Sequence, residues 1–110
     1  MSAYIIVLNT APSLRIARKI AQTLIKEGLA ACVNIIPQVR SYYKWQGKLY
    51  NEPEVMLLIK TTRPRFRSLH NRIKELHPYQ VPEIVSLNIS AGSKDYLAWI
   101  KSLTKQRDFG

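Results

Sequence analysis

Residues Leu29–Lys48 read LAACVNIIPQVRSYYKWQGK, one extended run that ends in a turn at Gln46-Gly47-Lys48. At ~3.3 Å per residue, Ala31–Trp45 would span roughly 50 Å as a strand. A globule of 110 residues has a radius of gyration of about 13 Å. The strand therefore either breaks at Pro37 or overhangs its own domain. Past Pro37 the side chains alternate: Val39, Ser41, Tyr43 and Trp45 point one way, and Arg40, Tyr42 and Lys44 the other. An overhanging hairpin has no core in which to bury Tyr43 and Trp45. A second copy of the chain is the simplest place for those rings.

The flanking sequence supplies the other elements. Ala3–Asn9 is a short apolar run with strand character. Ser13 or Thr10 can cap the next segment, with Pro12 near its first turn. Leu14, Ala17, Ile20, Ala21 and Leu24 then recur at helical spacing, and Gly28 supplies the stop. Glu54–Thr62 alternates as a strand. Pro64 opens a second helix with Phe66, Leu69, Ile73 and Leu76 on its inner face, and Pro78 ends it near His77. Glu83–Ile89 reads as a fourth strand. Ser93 is placed to cap a last helix bearing Tyr96, Leu97, Ile100 and Leu103, and the polar tail 104–110 is expected to fray. The order is that of an α+β, ferredoxin-like βαββαβ domain spanning 1–110: an antiparallel sheet with two helices on one face, plus a C-terminal helix.

Such a sheet should be apolar on the helix side and polar on the other. Here both sides are apolar: Ile5 and Val7 oppose Tyr4, Ile6 and Leu8, while Val55, Leu57 and Ile59 oppose Met56 and Leu58. Left wet, the second face would exceed the apolar patch that monomers usually carry. Burying about 600 Å² of it per subunit is worth on the order of 15 kcal/mol before association costs. Self-association through Met56, Leu58, Tyr43 and Trp45 is the expectation.

Composition narrows the function classes. Seventeen basic residues against seven acidic give a net charge of +10, which suits solvated helix faces or a polyanionic partner. Cys32 is the single cysteine, so no internal disulfide forms and a reducing, cytoplasmic setting is expected. The opening MSAYIIVLNT lacks the basic region and apolar length of a secretory signal. No apolar run approaches the ~20 residues of a membrane helix.

The chemistry-bearing residues are few. Cys32 sits in a run of small residues and is either a packed apolar group or, given a base and exposure, a nucleophile. Lys60 faces away from Val55, Leu57 and Ile59. At a subunit junction its ammonium needs a carboxylate or an anionic ligand. His70 and His77 form no paired metal-ligand spacing, and His70 reads as structural or exposed. His77 opens the loop HPYQVPE, where beside Tyr79 and Glu83 it either braces the loop or ligates a metal or anion. Glu52, Glu54, Glu83 and Asp95 lie on different elements and declare no acid–base pair. No Ser-His-Asp signature, P-loop or dinucleotide-binding glycine motif is present.

Taken in order, LAACVNIIP, SYYKWQGKL, PEVMLLIKTT, HPYQVPEIVSLNI and YLAWIKS resemble the CutA divalent-cation-tolerance family, from Tyr4 to Ser102. The resemblance implies a homotrimer related in architecture to the PII signalling proteins, with sheets facing inward and β-arms reaching across to a neighbour. It implies a non-enzymatic role in tolerance of copper or other divalent cations, and a ligand cleft between subunits. The residues expected at or near that cleft are Cys32, Lys60, His77, Tyr79 and Glu83. Some relatives pair the HPY histidine with a cysteine at the end of the first strand as copper ligands. Here the strand position is Asn9, which leaves His77 as the candidate metal ligand. The turn is WQGK where WEGK is usual, so Gln46 replaces a carboxylate.

Two other functions fit parts of the sequence. Polyanion or nucleic-acid binding suits the charge and should depend strongly on salt. However, the mid-strand positions carry aliphatics in place of the stacking aromatics of RNA-recognition modules, so specific nucleic-acid binding is not expected. An acylphosphatase-like hydrolase needs an anion cradle after the first strand, and Thr10-Ala11-Pro12-Ser13 contains no glycine.

Overall fold

A computed structural model describes residues 3–105. The elements are β1 (Tyr4–Ala11), α1 (Leu14–Lys26), β2 (Cys32–Trp45), β3 (Lys48–Thr62), a 3-10 turn (Arg63–Arg65), α2 (Phe66–Leu76), β4 (Val85–Asn88) and α3 (Lys94–Leu103). The sheet is antiparallel throughout, in the order β2-β3-β1-β4. This is the expected ferredoxin-like arrangement with an added C-terminal helix.

Local chemistry explains the helix ends. The Ser13 side chain, not that of Thr10, caps α1 by accepting from the Ile16 N–H at 3.2 Å. At the other end Gly28 takes φ +70°. The Leu29 N–H reaches the Leu24 carbonyl at 2.9 Å and the Gly28 N–H reaches that of Ile25 at 3.1 Å, a closing pattern that favours glycine. Pro64 lies in the 3-10 turn and the α-helix proper begins at Phe66. His77 is extended at the end of α2, the geometry that a following proline favours. Ser93 does not cap α3 through its side chain; its carbonyl accepts from the Leu97 N–H at 3.0 Å instead.

The core lies between α1, α2 and one sheet face. Ala17, Ile20 and Leu24 of α1 and Leu69 and Ile73 of α2 pack against Ile5, Val7, Leu57 and Ile59. Each of these aliphatics is fully or almost fully buried, and burial of one such side chain is worth roughly 2 kcal/mol. The second face carries Ile6 and Leu8 of β1, Met56 and Leu58 of β3, Ile36 of β2, and Val85 and Leu87 of β4. Ile36, Val85 and Leu87 are each close to half exposed. At the Lys60 end of this face α3 leans in through Tyr96, and the Lys60 ammonium lies 3.4 Å from the Tyr96 hydroxyl.

The long β-segment both breaks and overhangs. The β2–β3 register shifts between Ile36 and Val39, where Gln38 adopts φ +62°. Past that bulge the hairpin runs on to a two-residue turn at Gln46-Gly47, both with positive φ, and Trp45 pairs with Lys48. The molecule is 48 Å long with a radius of gyration of 14.7 Å, larger than the roughly 13 Å expected of a compact chain this size. Strand β3 starts at Lys48 rather than at Glu54. Its first residues, KLYNEP, have no strand pattern of their own and are extended because the end of β2 pairs with them. Strand β4 is correspondingly shorter than expected, at Val85–Asn88.

The expected fraying does not extend to Thr104. It is buried, and its hydroxyl donates to the Ile100 carbonyl at 2.8 Å beside Thr62 Oγ1 at 3.2 Å. Lys105 is exposed, and the rest of the expected tail, 106–110, lies outside the described residues.

Candidate functional site

The bulge determines what the arm presents. Without an extra residue, Arg40, Tyr42 and Lys44 would continue the face of Asn34 and Ile36. With it, Val39 pairs with Glu54, Ser41 with Glu52 and Tyr43 with Tyr50, so Tyr43 and Trp45 share the second sheet face. The opposite side of the arm holds Arg40, which donates to Asn51 Oδ1 at 3.2 Å.

At the root of the arm the 77–83 loop folds over this face. Together they enclose a cleft of about 420 Å³ lined by Thr10, Tyr43, Trp45, Tyr50, Glu54, Tyr79, Gln80, Val81 and Glu83. His77 holds the start of the loop. It is buried, its Nε2 lies 2.7 Å from the Thr10 carbonyl, and the Tyr79 N–H donates to its Nδ1 at 3.2 Å. A carbonyl only accepts and an amide N–H only donates, so Nε2 carries the proton and Nδ1 the lone pair. Asn9, fully buried, holds the other end by donating from Nδ2 to the Glu83 carbonyl at 2.8 Å.

Two of the phenols that line the cleft are each paired with a carboxylate. The Tyr79 hydroxyl donates to Glu54 Oε2 at 2.8 Å, and Glu54 is only 8 % exposed. Burial first, and the Glu54 hydrogen bond second, push the Tyr79 phenol above its ordinary range. The Tyr43 hydroxyl donates to Glu52, and that bond is the main cause of its rise to about 12. Tyr43 also stacks on Tyr50 with ring centroids 5.2 Å apart.

The expected site residues thus divide. Tyr79 and Glu83 line the cleft, His77 braces it from beneath, and Tyr43 and Trp45 form its arm-side wall. Met56 and Leu58 lie half-buried on the adjoining second face. Cys32 and Lys60 pair with each other across β2 and β3, nearer the opposite end of the sheet, and do not join the cleft within one chain. The Cys32 sulfur lies 3.9 Å from Asn34 Oδ1. Lys60 meets a phenol, with its ammonium 5.6 Å from the Tyr96 ring centre. Ser13 is occupied as a helix cap, not part of an anion cradle.

These groups fit a bound divalent cation poorly. Both ring nitrogens of His77 are occupied. The Asn9 Oδ1 is buried without a hydrogen-bond partner among the described residues, but it is a single amide oxygen, on a residue paired in the sheet with apolar Leu57. No cluster of three or more histidine, cysteine, aspartate or glutamate residues suited to a metal occurs among the described residues.

Glu54, Tyr50 and the Thr10 carbonyl were not anticipated as site groups. The available signal was hairpin pairing from the Gln46-Gly47 turn, which sets Glu54, Glu52 and Tyr50 opposite Val39, Ser41 and Tyr43.

Among the described residues no helix is long and apolar enough to cross a membrane. The chain matches the family profile described as CutA1 divalent ion tolerance protein over residues 5–103. It is 50% identical over 99 residues to a divalent-cation tolerance protein CutA of Thermus thermophilus, covering 90% of this chain and 96% of that one. It is 40% identical to a chloroplastic CutA of Arabidopsis thaliana, covering 92% of this chain but 56% of the plant protein's length. A solved structure from Thermus thermophilus superposes with a TM-score of 0.91 at 49% identity, covering 93% of this chain and 99% of that one. The CutA1 structure from Oryza sativa gives 0.93 at 38% identity, covering 96% and 97%. The profile match, the identities and the shared fold agree: this chain belongs to the CutA1 divalent ion tolerance family.

Proposed function

We propose that this chain works in the cytoplasm as a non-enzymatic homotrimer of PII-like architecture that takes part in the response to copper or other divalent cations. Its ligand site is the cleft between the arm and the 77–83 loop, completed by a neighbouring copy. One observation carries the reading. An apolar sheet face (Ile6, Leu8, Ile36, Met56, Leu58, Val85, Leu87) leads onto an arm whose Tyr43 and Trp45, on the same side, are 42% and 44% exposed. Surface of that extent and shape is buried most economically by copies of itself. In this reading the divalent cation is the condition the protein answers to, and His77 is a structural brace, not its ligand.

Light scattering at micromolar concentration tests the assembly. The expected mass is three times the 12.7 kDa chain, and Leu58→Asp is expected to dissociate it with the helical circular dichroism retained. A monodisperse single-chain species would remove the proposal.

A second reading, polyanion binding, is favoured by Lys94, Lys101 and Lys105, which line one concavity beside Tyr4 and α3. Against it, Arg72 is committed to Glu27 and Glu75, and the middle of the second face offers aliphatics where bases would stack. Tight binding to single-stranded RNA at physiological salt would favour this reading over the first.

A further inference from the structure

We propose that the arm–loop cleft binds a weakly hydrated organic cation, of the alkylammonium class, in a box of aromatic rings closed by carboxylates. The inference rests on the reading above only in taking this cleft as the ligand site.

Four observations support it. First, Tyr43, Trp45, Tyr50 and Tyr79 line one concavity, and the face of such a ring is the part that attracts a cation. Second, Glu54 and Glu83 line the same space, and Glu52 stands at its edge bonded to Tyr43. No lysine or arginine is among the lining residues, although the whole chain carries +10. A cleft lined by one sign of charge concentrates guests of the other sign.

Third, the phenols enter as neutral donors. Tyr79 and Tyr43 each donate a hydrogen bond to a glutamate and keep their protons, so the carboxylates are oriented and the rings stay uncharged through the neutral pH range. Fourth, the chain already places a cation on one of these rings: the Lys48 ammonium lies 5.4 Å from the Tyr50 ring centre. That lysine is a tethered competitor at the rim.

The lining also discriminates among cations. Magnesium gives up its water reluctantly and calcium takes six or more oxygen ligands, and a wall of four rings offers neither ion a substitute for its hydration. A methylated ammonium gives up little hydration and gains ring contact on several sides. The volume, about 420 Å³, falls within the usual range for small-molecule sites.

Calorimetric titration of the full chain in its native assembly tests this with tetramethylammonium chloride, with tert-butanol as a neutral probe of similar shape, and with magnesium chloride at matched ionic strength. Saturable tetramethylammonium binding is expected, with tert-butanol and magnesium each about tenfold weaker or more. Trp45→Leu and Glu54→Gln should each weaken tetramethylammonium about tenfold, and Lys48→Met should strengthen it severalfold. Both Trp45 and Lys48 are exposed on the arm, so these variants leave the core intact. Equal binding of tert-butanol, no saturable tetramethylammonium binding, or binding indifferent to Trp45→Leu would overturn the proposal.

Light scattering on the same samples separates the two readings. Cation binding sensitive to Trp45→Leu in a single-chain species supports the cation site and removes the trimer. A trimer that binds no tetramethylammonium does the reverse.

Discussion

The Tyr79 hydroxyl donates a 2.8 Å hydrogen bond to Glu54, and this bond ties the loop after α2 to the root of the β2–β3 arm. The partners are 25 residues apart in sequence, and Glu54 is nearly buried. Losing the donor leaves a carboxylate short of a partner. Tyr79→Phe is expected to lower stability by about 1 kcal/mol, modestly because Tyr79 itself is more than a third exposed. Chemical denaturation checks the value, and the Trp45 emission should shift as the cleft loosens.

The same geometry sets an alkaline signature. Tyr43 is raised to about 12 chiefly by its bond to Glu52, and Tyr79 is raised chiefly by burial with Glu54 second. A phenol that holds its proton more tightly when folded contributes stability fully below the ordinary tyrosine value of about 10. That contribution declines as pH rises through the folded values. Ultraviolet titration should show late-ionising phenolate absorbance, and Glu52→Gln should move the Tyr43 component toward lower pH.

His77 acts as a brace in this structure, with both nitrogens engaged by Thr10 and Tyr79. His77→Ala strands a buried carbonyl and an amide N–H, so a loss of about 2 kcal/mol is expected. Copper(II) affinity should not change. A fall in copper affinity with unchanged melting temperature would contradict the brace.

Gln38 holds φ +62° at the bulge, a conformation that costs a residue with a Cβ about 1 kcal/mol or more. Gln38→Gly is expected to stabilise the chain by about 1 kcal/mol. Deleting Gln38 should bring Arg40, Tyr42 and Lys44 to the cleft side and abolish the late-ionising Tyr43, while the melting of the helix-covered core is little altered.

On the acid side, the Arg72 guanidinium, 3.0 Å from Glu27, holds that carboxyl below its ordinary value through their hydrogen bond. The stability it contributes is present above pH ~4.5 and lost as pH falls through the depressed value. Arg72→Gln should therefore weaken the protein at neutral pH and flatten this part of its acid limb, by a small amount because both partners are substantially exposed. Melting curves across this acidic range at low and high salt are the check.

Much of the fold was legible because its elements are locally consistent. Apolar residues recur at helical spacing between Ser13 and Gly28, and Pro64 and Pro78 bracket the second helix. The apolar residues on both sides of β1 and β3 already marked a second face that two helices could not cover. KLYNEP at the start of β3 was not legible. Its residues have weak strand character and are extended only because β2 lies alongside. Of the cleft, the 77–83 loop was visible as a cluster, whereas Glu54 and Tyr50 carried no mark until pairing set them opposite Val39 and Tyr43.

The amino-acid order alone determined the periods: which residues alternate, which recur every three or four, and where turns and caps must fall. It showed that Tyr43 and Trp45 share a side of the arm, but not which face of the sheet that side continues. A pleat of period two keeps its phase only while pairing is regular, and one extra residue at Gln38 reverses it. Tertiary pairing across β2 and β3 decided the phase, and with it turned Tyr43, Trp45, Tyr50 and Glu54 toward the cleft that the 77–83 loop closes.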